Sequence, residues 1–179
     1  MILAHIHKVY DNDVHFKIDE KTGAIKNVSE VKAAVTQYAH NSERFTFEIN
    51  RMVEGHDLNL CNQVQVHYIN KDSKDKTVFN PGIHEVVDLQ VCPEDESIVI
   101  CSWLIKDTAT QLVGSLAFSL HFMCIAEDGT VDYDWPTAEY AAVAIVPSIN
   151  NNGAITHATE MWTFTLKDGS KVEKEVYAG

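Results

Sequence analysis

Nine histidines, four cysteines and 26 acidic residues are the side chains through which this chain could do chemistry. His5 and His7 share one face of an extended segment and could chelate a metal. No third ligand stands near them in sequence, and an isolated His is more often exposed or packed in a core than ligating. Asp11, Asp13 and Asp19 suggest calcium, but the segment DNDVHFKID lacks the glycine and terminal glutamate of an EF-hand loop. Turn chemistry explains these aspartates better. Cys61, Cys92, Cys101 and Cys124 are scattered without CxxC spacing, so the residues offer no zinc site in paired tight loops. Three of the four fall inside expected strands, where a free thiol behaves as a small hydrophobe in a reducing compartment.

The nucleophiles and acids give no catalytic constellation. No serine stands in a GxSxG elbow, and Gly114 and Gly129 stand alone, without a phosphate-cradling loop. Glu94 with Glu96, and Asp132 with Asp134, are close in sequence. Nothing in the sequence sets them across a glycosidic bond, and a solvated edge is the simpler reading. Trp103, Trp135 and Trp162 could stack on sugars, yet each falls in an apolar register that suits core packing. The residues therefore name no catalytic, cofactor or metal site, and the chain reads as a non-enzyme.

Bulk properties narrow the partners. The net charge of −12 argues against nucleic acid and against an anionic membrane surface, both of which need clustered Lys and Arg. Hydrophobic residues make up 45% and charged residues 22%, ordinary values for one globular domain with or without a small appendage. No apolar run reaches the roughly 20 residues of a membrane-spanning helix. The start, MILAHIHKVYDND, has no basic n-region or small-residue cleavage site, which points to synthesis and assembly in the cytoplasm.

Strands must position whatever the chain does. Residues 98–104 are apolar and β-branched, and 114–125 alternate with Leu116, Phe118, Leu120, Phe122 and Cys124 on one face. A two-residue type I′ turn at Asp128-Gly129 sets Cys124 opposite Tyr133, Phe122 opposite Trp135 and Ala126 opposite Val131. Residues 44–50 place Phe45, Phe47 and Ile49 inward, with Thr46 and Glu48 outward; 61–69, 85–91 and 140–146 are further strands. Asn80-Pro81-Gly82 reads as a turn, and 31–38 as either extended chain or a short helix. A last hairpin joins 161–166 to 171–176. Its loop is Lys167 to Gly169 with Gly169 left-handed, which pairs Phe164 with Val172.

The expected architecture is all-β, an antiparallel β-sandwich: an irregular N-terminal segment with short strands (1–40), the sandwich core (41–150) and a C-terminal hairpin (151–179) that could pack on it. Ile2 and Ile6 in the first segment, and Trp162 and Phe164 in the last, are apolar residues outside the core pattern. They are the candidate interface residues.

Residues 40 to 147 carry a distinctive order: a strand, then DTATQ, VGSLAFSL, DG and WPT. This order resembles a family of prophage-encoded tail and baseplate proteins of Gram-positive bacteria. More distantly, it resembles the N-terminal domain of phage baseplate upper proteins. The resemblance implies an immunoglobulin-like sandwich with no catalytic motif. It also implies a structural role as a tail or baseplate adaptor for a fibre or receptor-binding component, with other tail proteins and further copies of the chain as partners and the virion as its destination. The alternative from a different class is a carbohydrate-binding β-sandwich, since the same architecture hosts unrelated functions.

Overall fold

The computed structural model describes residues 14–86, 89–148 and 159–177. In chain order the first strands are β1 (Val14–Ile18), β2 (Ile25–Asn27), β3 (Ala34–Thr36), β4 (Arg44–Asn50), β5 (Met52–Val53) and β6 (His56–Asp57). A single 3-10 turn, Leu58–Leu60, leads to β7 (Gln63–Asp72), β8 (Phe79–Val86), β9 (Gln90–Val91) and β10 (Ile98–Leu104). A second 3-10 turn, Asp107–Ala109, precedes β11 (Gly114–Ile125), β12 (Val131–Pro136) and β13 (Tyr140–Val146). The last pair is β14 (Thr159–Thr165) and β15 (Lys171–Tyr177), a separate two-stranded sheet.

The protein is all-β, and two sheets make a sandwich-like arrangement. One sheet has the order β2-β1-β4-β10-β9; the other runs β3-β13-β11-β7-β8, with β12 also paired to β11. Residues 14–36 thus supply strands to both sheets. The sheets are mixed, which corrects the expectation of purely antiparallel pairing: β1 lies parallel to β4, and β3 lies parallel to β13. Alternation fixes which face a side chain takes but says nothing of strand direction. A parallel pair needs only a long crossover, and the chain between β1 and β4 provides one through β2 and β3. This strand order does not by itself establish an immunoglobulin-like topology.

Phe118 of β11 is the point where the sheets meet. It is 1% exposed, and its ring lies 5.5 to 5.9 Å from those of Phe16, Phe45, Phe47 and Trp103, all on the facing sheet. Leu116, Leu120 and Phe122 continue the same face and are fully buried, and Trp135 packs on Phe122 at 6.0 Å. The expected inward face of β11 is therefore the observed one.

The segments that carry the sequence resemblance do structural work. In DTATQ, Thr110 is fully buried, its hydroxyl donates to the carbonyls of Ala39 and Asp107, and its carbonyl accepts from Tyr38 N–H. The loop that follows is pinned by buried Asn70, whose amide donates to Leu112 and Ser115 carbonyls while its oxygen accepts from Leu112 N–H. In WPT, Thr137 carries pairing past the proline. Its N–H donates to Leu120 O, and Leu120 N–H donates to the Thr137 hydroxyl.

Of the two readings left open for 31–38, extended chain is the observed one, with residues 34–36 forming a strand. Three local expectations change. Asn80-Pro81-Gly82 lies within β8 and is not a turn. β8 ends one sheet, where a proline deletes no pairing bond that a further strand would need. Gly82 sits opposite Tyr68, and a Cβ there would come within 2.2 Å of the Tyr68 Oη. The strand expected over 85–91 is divided between β8 and β9, which join different sheets. Thr46 and Glu48, expected outward, are 2% and 5% exposed.

Candidate functional site

Among the described residues, two places gather side chains that could act on something else. The first is the outer face of the six-stranded sheet. Phe79, Pro81 and Ile83 alternate onto it from β8, Ile69 and His67 from β7, and Ala117, Ser119 and His121 from β11. Ile83 is 63% exposed and Phe79 51%, although both are large apolar residues on a sheet end. His67, Ile69, Pro81, Ile83, Ala117 and Ser119 line an open depression of about 500 Å³. Beside it His67 stacks on His121 at 4.0 Å, His67 Nε2 lies 3.0 Å from Gln65 Oε1, and His121 Nδ1 lies 3.0 Å from Asp134. Partial burial, then the neighbouring His121, lower the pKa of His67 against the opposing pull of Asp134. That shift favours the neutral imidazole. The face is apolar at its β8 edge and polar toward β11, with Glu139 on the depression and Asp134 beside His121.

The second place is at the end of β11. Here the chain turns through β5 and β6, which pair Met52 with Asp57 and Val53 with His56. Glu54 and Gly55 both have positive φ, so this two-residue turn is of type I′. Arg51 then holds Asp57 by a bidentate contact at 2.9 and 2.8 Å, which lowers the Asp57 pKa. Asp57 also caps the 3-10 turn through Asn59 N–H, and buried Leu58 anchors it. Asn62 fastens the exit of that turn to the other strand: its backbone N–H donates to Met123 O, its side-chain amide donates to Ile125 O, and its oxygen accepts from Ile125 N–H.

This framework brings together three residues far apart in sequence. Cys124 Sγ is 3.7 Å from His56 Nε2 and 3.8 Å from Cys61 Sγ. The ligand atoms of all three lie within 4.8 Å of one another. Cys61 is buried, while His56 and Cys124 are half-buried. The His56 ring is held flat against Tyr133 of β12, with centroids 3.7 Å apart and planes 14° from parallel. Burial, then the hydrogen bond it shares with Cys124, push the Cys61 pKa up to about 12, so this thiol alone is no nucleophile.

Sequence reasoning found neither place. Of the candidate interface residues, Ile2 and Ile6 lie outside the described residues, as do His5 and His7. Trp162 and Phe164 lie on β14, opposite Lys174 and Val172. Trp103 and Trp135 are 1% and 8% exposed and cannot stack on a sugar in solution. No described helix is long and apolar enough to cross a membrane.

No protein-family model matches the chain, and no curated protein matches it. Nine chains of solved structures match. One, the N-terminal domain of phage TP901-1 ORF48, is 14% identical with a TM-score of 0.42, over 75% of this chain and 96% of that one. A likeness at that level of identity and superposition fixes neither family nor function.

Proposed function

We propose that this chain is a non-enzymatic structural protein of a phage or prophage particle, an immunoglobulin-like sandwich acting as an adaptor in the tail or baseplate. It would attach a fibre or receptor-binding component there, and its partners are further copies of itself and neighbouring tail proteins. The sequence order across residues 40 to 147 supports the particle; the observation that carries the mode of action is the exposed apolar edge of the six-stranded sheet. Phe79 and Ile83 are more than half exposed on the same face of a terminal strand. On a protein that acts alone, such an edge is an aggregation liability, and on an assembling one it is a contact surface. Pro81 interrupts the donor pattern of that strand, so the contact uses the face and its side chains more than strand addition. The occupant we assign to the face is a second copy of this chain. Each copy carries a net charge of −12, which opposes this contact, so burial of the apolar face must supply the attraction.

Two measurements test the reading together: light scattering of the purified chain at micromolar concentration, and immunodetection of the chain in purified particles. A dimer or larger species that is present in particles is the expected result. A 20.1 kDa monomer absent from particles overturns it.

A further inference from the structure

We propose that His56, Cys61 and Cys124 form a binding site for a thiophilic metal ion, Zn²⁺ first among them, at the end of the sandwich where the β6–β7 connection meets β11. Three observations carry this. The donor set is two sulfurs and an imidazole nitrogen, the chemistry that zinc takes in Cys₂His sites with one position left to water. The two spacings about Cys124 also fit, and the third pair lies within 4.8 Å. Zn–S bonds of about 2.3 Å and Zn–N bonds of about 2.0–2.1 Å on a tetrahedron put sulfurs about 3.8 Å apart and sulfur and nitrogen about 3.6 Å apart. The chain has 3.8 Å between Cys61 and Cys124 sulfurs and 3.7 Å between Cys124 Sγ and His56 Nε2. The sulfur pair is far outside the roughly 2.05 Å of a disulfide.

The third observation is preorganisation. Tyr133 stacking fixes the His56 ring, the capped 3-10 turn fixes Cys61, and the three Asn62 hydrogen bonds fix Cys61 against Cys124. Partial exposure of His56 and Cys124 gives the ion an entry path and leaves the fourth coordination position open to water. Bound there, the ion would cross-link residues 63 apart in sequence and close one end of the fold by a bond that the apolar core does not supply.

The test uses the full chain, purified under reductant and stripped by a chelator. Titration with Co²⁺ should reach saturation at one equivalent, with thiolate-to-cobalt charge transfer in the near ultraviolet and the intense visible bands of tetrahedral cobalt. Zn²⁺ should then bleach both. Cys124→Ser and His56→Ala, each at a half-buried position, should retain the β-rich circular dichroism spectrum and lose the tetrahedral cobalt signal. His121→Ala, in the stacked pair elsewhere on the molecule, should bind cobalt as the wild type does. Addition of Zn²⁺ should raise the melting temperature of the wild type and not that of Cys124→Ser. The proposal is overturned by a folded wild type that gives no such spectrum, or by a spectrum that survives in Cys124→Ser. A Cys61–Cys124 disulfide found by mass mapping of the zinc-treated reduced protein would overturn it too.

Discussion

Glu48 is a carboxylate in the wrong place for stability. It is 5% exposed on the central strand of its sheet, beside Lys17 on β1 and Ile100 on β10. Lys17 Nζ reaches only to 3.9 Å of one oxygen, and the other oxygen is buried without a hydrogen bond. Burial raises its pKa; Asp95 adds to the rise and Lys17 opposes it. The folded chain therefore holds this proton more tightly than the unfolded chain does. Stability from that proton is present below the ordinary carboxylate pKa and is lost as pH rises through the raised one. Glu48→Gln should raise the melting temperature at pH 7, and the difference from wild type should vanish near pH 3; an equal or lower melting temperature at pH 7 would contradict the assignment. Alternation read Glu48 as outward, and by parity it is. Sequence gives the face of a strand but not what covers that face. The same limit hid the His56, Cys61 and Cys124 cluster. Nothing local relates Cys61 to Cys124, and the pairing of Asn62 with the end of β11 exists only in the fold.

At the scale of elements, hairpin chemistry was legible to within one residue. The hairpin of β14 and β15 has the expected loop, with Gly169 at φ 88 and Phe164 opposite Val172. The hairpin of β11 and β12 has the expected pairs Phe122 with Trp135 and Cys124 with Tyr133, but not the expected turn. Its loop is also three residues: Gly129 N–H donates to Ala126 O and Ala126 N–H to Thr130 O, as Gly169 does to Leu166 and Leu166 to Ser170. Among the residues of this loop only Gly129 has positive φ, whereas a type I′ turn needs two. A bulge between Cys124 and Ile125 opposite Asp132 then absorbs the extra residue and restores the register. Aromatic packing on β11 outweighs the turn preference, so the strand keeps its face and the bulge takes up the slip. Phe118→Ala, at the centre of that packing, should cost about 3–5 kcal/mol in chemical denaturation, the range for a buried aromatic. A loss under about 1 kcal/mol would mean that the sheets do not meet there. Gly82→Ala should also destabilise, because its Cβ would displace the Tyr68 ring from its stack on Trp103. Gly55→Ala has open space around the added methyl and leaves only the strain of its positive φ. Of these two, Gly82→Ala should be the one that alters the near-ultraviolet circular dichroism of the tyrosine and tryptophan pair.

For the whole molecule, charge and apolar surface act in opposite directions on assembly, and their balance is testable. Each copy carries −12, so two copies approaching at low ionic strength repel one another. In the proposed self-association, the face around Phe79 and Ile83 would draw them together by burial of apolar area, a term that salt does not screen. Salt screens the repulsion, with a Debye length of about 10 Å at 0.1 M and about 3 Å at 1 M. Association through this face should therefore strengthen as sodium chloride is raised, which is the reverse of association through ion pairs. Ile83→Glu places a charge on the exposed β8 edge without touching the core, and it should give a monomer at both salt concentrations while leaving the melting temperature within about 2 °C, as surface substitutions usually do. Light scattering across a salt series, on wild type and Ile83→Glu side by side, separates the outcomes. Association that falls with salt would assign the contact to charged residues elsewhere. Association that survives Ile83→Glu unchanged would move the interface off β8, to the hairpin bearing Trp162 and Phe164 as the next surface to substitute.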